Sequence, residues 1–326
     1  MSELVNYREA IALAIAHELD ADPDVMLFGE DVGAAGGAFK TTAGLFEKFG
    51  PGRVRDTPIS EQAIVGTAVG AALMGLRPIA EVMFADFAGV CFDQIANQLA
   101  KYRYMTNGQA SLPVTVRMAN GAGAGFGAQH SQSTENWFLN VPGLKIVVPG
   151  TVEDMYGLLR SAVRDNDPVL VFEHKNLFGI KGEVPEDAPL VPLGQAVVVR
   201  PGDHVTVVAT QQMRHRAVEA AEALAAEGIE LEVIDPRTLV PFDFATVAES
   251  LGRTSRLLVV EECPLAGSWG ATLVAKLMCE RFDLFDAPPA IVCAPDTPVP
   301  YAGVLEDAWV PSTDRVAAAA RRLVEI

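Results

Sequence analysis

The chain is short of cysteine pairs, of positive charge and of long apolar runs, and each shortage excludes a class of protein. It has four cysteines in 326 residues, Cys91, Cys263, Cys279 and Cys293. None forms a CxxC pair or has zinc-ligand spacing, which leaves out a zinc or dithiol site. Their apolar flanks predict buried free thiols in a reducing compartment. Lys and Arg number 25 against 42 Asp and Glu, a net charge of −17, which argues against nucleic acid or an anionic membrane as the main partner. The longest uncharged apolar stretch, residues 62–76, is shorter than the roughly 20 residues that span a bilayer. Met1-Ser2-Glu3 leads into a helical pattern with no signal or transit segment, so the expectation is a cytoplasmic protein with no membrane partner.

A phosphate-binding loop is also missing. No GxGxxG follows a strand and no GxxxxGK[ST] occurs. Two glycine-rich stretches, Gly33-Ala34-Ala35-Gly36-Gly37 and Gly121-Ala122-Gly123-Ala124-Gly125, match neither fingerprint.

What is present is a globular composition, 50% hydrophobic and 21% charged, with β-type runs alternating with helical patterns. Strands are expected at 25–28, 79–84, 114–118, 145–148 and 169–172, and helices at 5–19, 62–76, 89–104 and 152–164. A polar, proline-bearing segment at 181–189 marks a boundary. A second series follows, with strands at 205–209, 231–234 and 257–260 and helices at 215–226 and 271–281. The fold class is α/β in two domains, each a mainly parallel sheet flanked by helices: 1–185, a linker at 186–202, and 203–326.

Chemistry-bearing residues collect after the strands. Glu61 opens a helix behind Ser60. It is either a first-turn charge complementing the helix dipole or, because the helix is apolar on every face and expected to be buried, a carboxylate with a raised pKa and a functional role. Gly66 and Gly70 in that helix allow close approach by another. His130 follows the second glycine-rich stretch, which would let backbone approach a ligand; it is an acid/base candidate or a helix cap. Glu30 and Asp31 follow the strand at 25–28, where α/β sites gather. Phe87, after Asp86, is either core or a stacking platform for a planar ring. Asp165-Asn166-Asp167 ends a helix in an acidic turn that is either solvated or able to hold a hard cation.

Several motifs occur in order: Phe28-Gly29-Glu30-Asp31-Val32, Asp56-Thr57-Pro58-Ile59-Ser60-Glu61, Phe84-Ala85-Asp86-Phe87, Gln129-His130-Ser131-Gln132, Ile234-Asp235-Pro236-Arg237-Thr238-Leu239 and Asp296-Thr297-Pro298-Val299-Pro300. Together they resemble the β chain of the thiamine-diphosphate-dependent E1 component of 2-oxo acid or acetoin dehydrogenase complexes, over essentially the whole chain. The resemblance implies a pyrimidine-binding (transketolase-like) domain followed by a transketolase C-terminal-like domain. It implies an α2β2 heterotetramer with an E1 α subunit, whose GDG…N motif holds the diphosphate and Mg²⁺. This chain has no GDG, which would account for the missing phosphate loop.

By the same resemblance Glu61 is the cofactor-activating glutamate, hydrogen-bonded to N1′ of the aminopyrimidine so that its imino form takes the C2 proton. Phe87 lies against the pyrimidine, Glu30 near the cofactor as a proton relay, and His130 assists reductive acyl transfer to lipoamide. A K⁺ site is implied at Val114, Ala162, Val163, Asp165 and Asp167. The C-terminal domain would dock the basic subunit-binding domain of an E2 acyltransferase, whose lipoyl domain accepts the acyl group. Val90-Cys91-Phe92-Asp93-Gln94 and His174-Lys175 with Gly182-Glu183-Val184-Pro185 look closest to pyruvate- and acetoin-type chains, with a lean to pyruvate. The branched-chain 2-oxo acid enzyme is the less favoured variant. A transketolase or deoxyxylulose-phosphate synthase-like chain would normally carry GDG, and a non-catalytic α/β interaction subunit is the reading from another class.

Overall fold

A computed structural model of the chain describes residues 2–185 and 189–326. It forms two compact bodies, Met1–Asn120 with Phe138–Leu193, and Gly121–Trp137 with Gly194–Ile326. The stretch around His130 therefore packs with the second body, although it lies inside the span 1–185 expected for the first domain. Of the linker expected at 186–202, residues 186–188 lie outside the described residues, and its far end is a strand, Val197–Arg200.

In the first body, β1 (Ser2–Asn6), β2 (Val25–Gly29), β3 (Val54–Asp56), β4 (Arg77–Val82), β5 (Thr115–Asn120), β6 (Lys145–Val147), β7 (Val169–His174) and β8 (Lys181–Pro185) are the strands. A parallel sheet runs in the order β6-β7-β5-β4-β2-β3. Its central strands β5 and β7 are buried along their whole length, as a sheet covered on both faces requires. Helices Tyr7–Ala21 and Val152–Arg164 pack together, and the buried Glu18 joins them through Arg160 at 2.9 Å and Arg164 at 2.8 Å.

The start of the chain departs from expectation. The helical pattern of 5–19 is split: Ser2–Asn6 is a strand paired antiparallel with Lys181–Pro185, and the helix begins at Tyr7. The cause is a capping box. Asn6 Oδ1 accepts from Glu9 N–H at 3.0 Å, and the Glu9 carboxylate accepts from Asn6 N–H at 2.7 Å, which fixes extended backbone at the cap. The segment 89–104, read as one helix, is broken into a wide π-type turn at Gln94–Leu99 and a short helix at Tyr102–Met105.

In the second body β10 (Val205–Ala209), β11 (Leu231–Asp235), β13 (Leu257–Val260) and β14 (Ala290–Val292) are parallel, with β9 (Val197–Arg200) antiparallel on the edge, in the order β14-β13-β10-β11-β9. A short strand β12, Thr238–Val240, follows β11. Helices Gln211–Ala225 and Thr313–Val324 cover this sheet with Ala217, Ala220, Ala221, Ala319 and Ala320 in the core. Among the described residues no helix is long and apolar enough to cross a membrane. All four cysteines are free; Cys91 and Cys263 are buried as expected, Cys293, just after β14, is half-buried, and Cys279 is exposed on the helix Trp269–Glu280, because apolar neighbours in sequence do not fix which face of a helix a residue takes.

Candidate functional site

The C-terminal ends of the first body's parallel strands bring acids together. Glu30 directly follows β2, whose last residue is Gly29. A Cβ on Gly29 would stand 2.9 Å from both the Cβ and the carbonyl oxygen of Glu81 on β4, so only glycine lets these strands approach there. Glu61 starts the helix Glu61–Leu73, and both Glu30 and Glu61 are 7% exposed. Burial raises the Glu30 carboxyl above its ordinary value, the charges of Glu61 and then Asp31 push it further, and a hydrogen bond from Ser60 N–H partly opposes them. Glu61 also acts on Cys91: burial first, then the Glu61 charge, push that thiol up to about 12.

Three buried oxygens along the first two turns of this helix have no partner among the described residues: Glu30 Oε1, Thr57 Oγ1 and, beside Gly66, Gln94 Oε1. Orphaned buried polar atoms are costly, and three in one region mark a place built for an external donor. Phe87 is half-buried at the end of an aromatic run, its ring 5.5 Å from Phe84, which is 5.3 Å from Phe39. A cavity of about 210 Å³ lies beside the helix start, lined by Met26, Phe28, Thr57, Pro58, Ile64 and Thr67. The helix itself corrects the expectation of burial on every face. Ile64, Val65, Ala68, Val69 and Ala72 are buried, while Gln62, Ala63, Gly66, Thr67, Gly70 and Leu73 are exposed.

Behind these acids lies a charged row that the sequence reading missed. Arg117, 1% exposed on β5, donates to Glu81 Oε2 at 2.7 Å and to Glu173 Oε1 and Oε2 at 2.6 and 3.0 Å. Two carboxylates share one guanidinium. Burial raises the Glu81 pKa, and Arg117 offsets this only in part.

His130 lies in the second body, half-buried, its N–H donating to Gly127 O at 3.3 Å. In the same body a cavity of about 410 Å³ is lined by Gln132, Ser133, Asn136, Glu262, Asp296 and Trp309. The glycine-rich stretch before His130 is not open backbone facing a ligand. Its N–H groups are engaged by Glu262 and Glu306.

The residues named for K⁺ sit at the opposite, N-terminal edge of the first sheet: Val114 precedes β5, and Ala162, Val163, Asp165 and Asp167 lie just before β7. Arg77 donates to the carbonyls of both Val163 and Asp165, at 3.3 and 3.2 Å. Lys145 bonds the Asp165 carboxylate at 2.6 Å, and Arg103 bonds that of Asp167. The carboxylates are thus neutralised by the chain's own cations. No group of three or more His, Cys, Asp or Glu among the described residues could hold a metal ion.

A two-body α/β chain, with acids at the strand ends of the first and no phosphate loop, matches two family models. Residues 3–181 match the transketolase pyrimidine-binding domain and residues 194–316 the transketolase C-terminal domain. The chain belongs to this transketolase-like family of thiamine-diphosphate enzymes and, within it, to the E1 β subunits of 2-oxo acid and acetoin dehydrogenase systems. It is 48% identical to the β subunit of an acetoin:2,6-dichlorophenolindophenol oxidoreductase of Cupriavidus necator, with 100% of this chain and 99% of the relative covered. It is 46% identical to the 2-oxoisovalerate dehydrogenase β subunit of Bacillus subtilis, covering 99% of each. A mitochondrial pyruvate dehydrogenase E1 β-2 subunit of Oryza sativa is 44% identical, with 97% of this chain and 85% of the relative covered. Among solved structures, a split-gene transketolase described as an inactive β4 tetramer superposes with a TM-score of 0.81 at 26% identity, covering 98% of each chain.

Proposed function

We propose that this chain supplies the pyrimidine side of a thiamine diphosphate site, and that with an E1 α subunit in an α2β2 heterotetramer it decarboxylates a 2-oxo acid, pyruvate in the first instance, and acylates the lipoyl group of an E2. The observation that carries this is the pair of buried carboxylates, Glu30 and Glu61, beside unpartnered oxygens and a half-buried Phe87, in a chain with no phosphate loop of its own. These residues suit an aminopyrimidine, which offers amino N–H donors, a ring nitrogen that accepts from a protonated carboxyl, and a flat face. The cofactor, when bound, supplies a carbon nucleophile and an electron sink. The α subunit would hold its diphosphate and Mg²⁺.

Glu61 hydrogen-bonds the pyrimidine ring nitrogen and holds a proton there. Glu30 takes and returns a proton behind it, since its raised pKa favours the protonated form. Phe87 orients the ring. His130 protonates the sulfur that leaves when the lipoyl disulfide opens and its other sulfur takes the acyl group. A K⁺ ion at the loop after Val163, on main-chain oxygens of Val114, Ala162, Val163 and Asp165, would have to displace Arg77, whose guanidinium already takes the carbonyls of Val163 and Asp165, while the side chains of Asp165 and Asp167 are paired with Lys145 and Arg103. The basic E2 subunit-binding domain would dock on the C-terminal body, in keeping with the net charge of −17. The exposed Ile59, Leu73 and Met74 around the Glu61 helix suit a subunit that assembles through this region, and the proposed compartment is the cytoplasm.

Acetoin is the second reading, favoured by two relatives named for it, at 48 and 46% identity. The test is reconstitution with the α subunit and a steady-state screen of pyruvate, acetoin and branched-chain 2-oxo acids, together with cofactor C2–H exchange in Glu61→Gln. Exchange should be abolished in the variant. Exchange at the wild-type rate would remove the role given to Glu61.

A further inference from the structure

The segment Gly121–Gly127 has a left-handed residue at every second position: φ is +91° at Gly121, +91° at Gly123, +74° at Gly125 and +71° at Gly127. A run of alternating backbone hand turns successive N–H groups toward one side and makes a concavity that binds an anion. In a nucleotide enzyme that anion is a phosphate. In this chain it is a pair of buried side chains. Glu306, 3% exposed in the helix Gly303–Trp309, accepts from Gly123 N–H on Oε1 at 2.7 Å and from Gly125 N–H on Oε2 at 2.9 Å. Glu262, 8% exposed just after β13, accepts from Ala122 N–H at 2.6 Å. At the far end of the segment the exposed Tyr301 comes close: a Cβ on Gly127 would stand 3.3 Å from its ring. Gly127 O in turn receives the N–H of His130.

We infer that Glu306 is the built-in anion of this nest and the positioning residue for His130, with Glu262 as the second anchor, so that the glycine segment is a mount for the histidine and takes no phosphate ligand. The chain of contacts is short. The helix Gly303–Trp309 presents Glu306, Glu306 fixes both oxygens on Gly123 and Gly125, and two residues further Gly127 carries His130. Trp309, in the same helix, is tied down by donating from Nε1 to Thr297 O at 3.0 Å. A carboxylate gripped by two N–H donors sets orientation as well as distance, which is what an acid at a reacting sulfur needs.

The inference rests on the acyl-transfer role of His130, and the test separates the two. In the enzyme reconstituted with its α subunit, Glu306→Ala should slow acyl transfer to a free lipoyl domain about ten- to a hundredfold, the scale set by a misplacement of about 1 Å. Cofactor C2–H exchange should stay within about twofold of wild type. Acetate, added as the probe anion, should restore part of the transfer rate in Glu306→Ala and none in His130→Ala. Glu306→Gln, which keeps one acceptor oxygen, should fall between. In the full chain without its partner, amide hydrogen exchange at Gly123 and Gly125 should accelerate in Glu306→Ala and slow again with acetate. If His130→Ala loses transfer while Glu306→Ala keeps it, the positioning role is wrong. Equal loss of transfer and C2–H exchange with no acetate response would make Glu306 a general structural residue and overturn the inference too. If His130→Ala transfers normally, the role of His130 is withdrawn and the inference falls with it; unchanged C2–H exchange in Glu61→Gln would instead count against the cofactor reading alone.

Discussion

Glu30 gives the clearest pH signature at the scale of single residues. Its pKa is raised above the ordinary 4.5 by burial and by the charges of Glu61 and Asp31. A carboxyl with a native pKa above its unfolded value binds extra proton in the fold. Its ionised form therefore penalises folding, fully above the native pKa and not at all below the unfolded one, and stability falls as pH rises between them. Glu30→Gln removes this titration and can still accept from Ser60 N–H. The variant chain should have a higher urea midpoint than wild type at about pH 7 and an equal one at about pH 4. A constant difference across that range would mean that Glu30 acts through packing and not through its charge. The strain is local to a site with unpartnered oxygens at Glu30, Thr57 and Gln94, and destabilised polar groups of this kind are expected where a ligand completes the hydrogen bonds.

Among the elements, the β4-β5-β7 row carries the largest single-residue stability prediction. Arg117→Met leaves the buried Glu81 and Glu173 without their shared cation, and breaking a buried ion pair in this way costs about 3–5 kcal/mol. Urea denaturation should show that loss, and combining Arg117→Met with Glu81→Gln and Glu173→Gln should recover a large part of it. Little of this row was legible beforehand. The strand was visible from Val114-Thr115-Val116-Arg117-Met118, but a strand pattern says nothing about partners 36 and 56 residues away. Local signals fared better: the helix Val152–Arg164 has the bounds its periodicity predicts, and the structure shows Thr151 closing its start by accepting from Asp154 N–H. The helix after Ser60 was placed correctly, but its exposed face was missed, because an apolar composition on all sides does not say which side the chain itself covers. Gly121–Gly125 was seen as a loop that allows close approach, and what approaches is Glu306, 183 residues from Gly123. The potassium proposal belongs to this scale as well. If the ion displaces Arg77 from the Val163 and Asp165 carbonyls, the melting temperature should be higher in KCl than in NaCl at matched ionic strength, and Asp167→Asn should keep the difference. An equal melting temperature in both salts would dismiss the ion.

For the whole molecule the proposed function divides the labour between two chains. The acids at the first body's strand ends suit one half of a cofactor, while no nucleotide-type loop suits the other half. Gly121–Gly127, which has the geometry of an anion nest, is filled by Glu262 and Glu306, so this segment offers a diphosphate no grip. Affinity for the intact cofactor should then come largely from the partner, whose contribution adds to that of the pyrimidine side as two linked contacts do. Calorimetry on the isolated chain should find weak thiamine diphosphate binding, no stronger than that of the aminopyrimidine moiety offered by itself, and no decarboxylation. Adding the α subunit should raise the affinity by orders of magnitude and switch on turnover. Glu306→Ala makes the same argument from the other side: emptying the nest exposes two inward N–H groups, yet without Mg²⁺ and the α subunit the variant should still bind the diphosphate weakly. Tight binding or turnover by the isolated wild-type chain would show that the site is complete within one polypeptide.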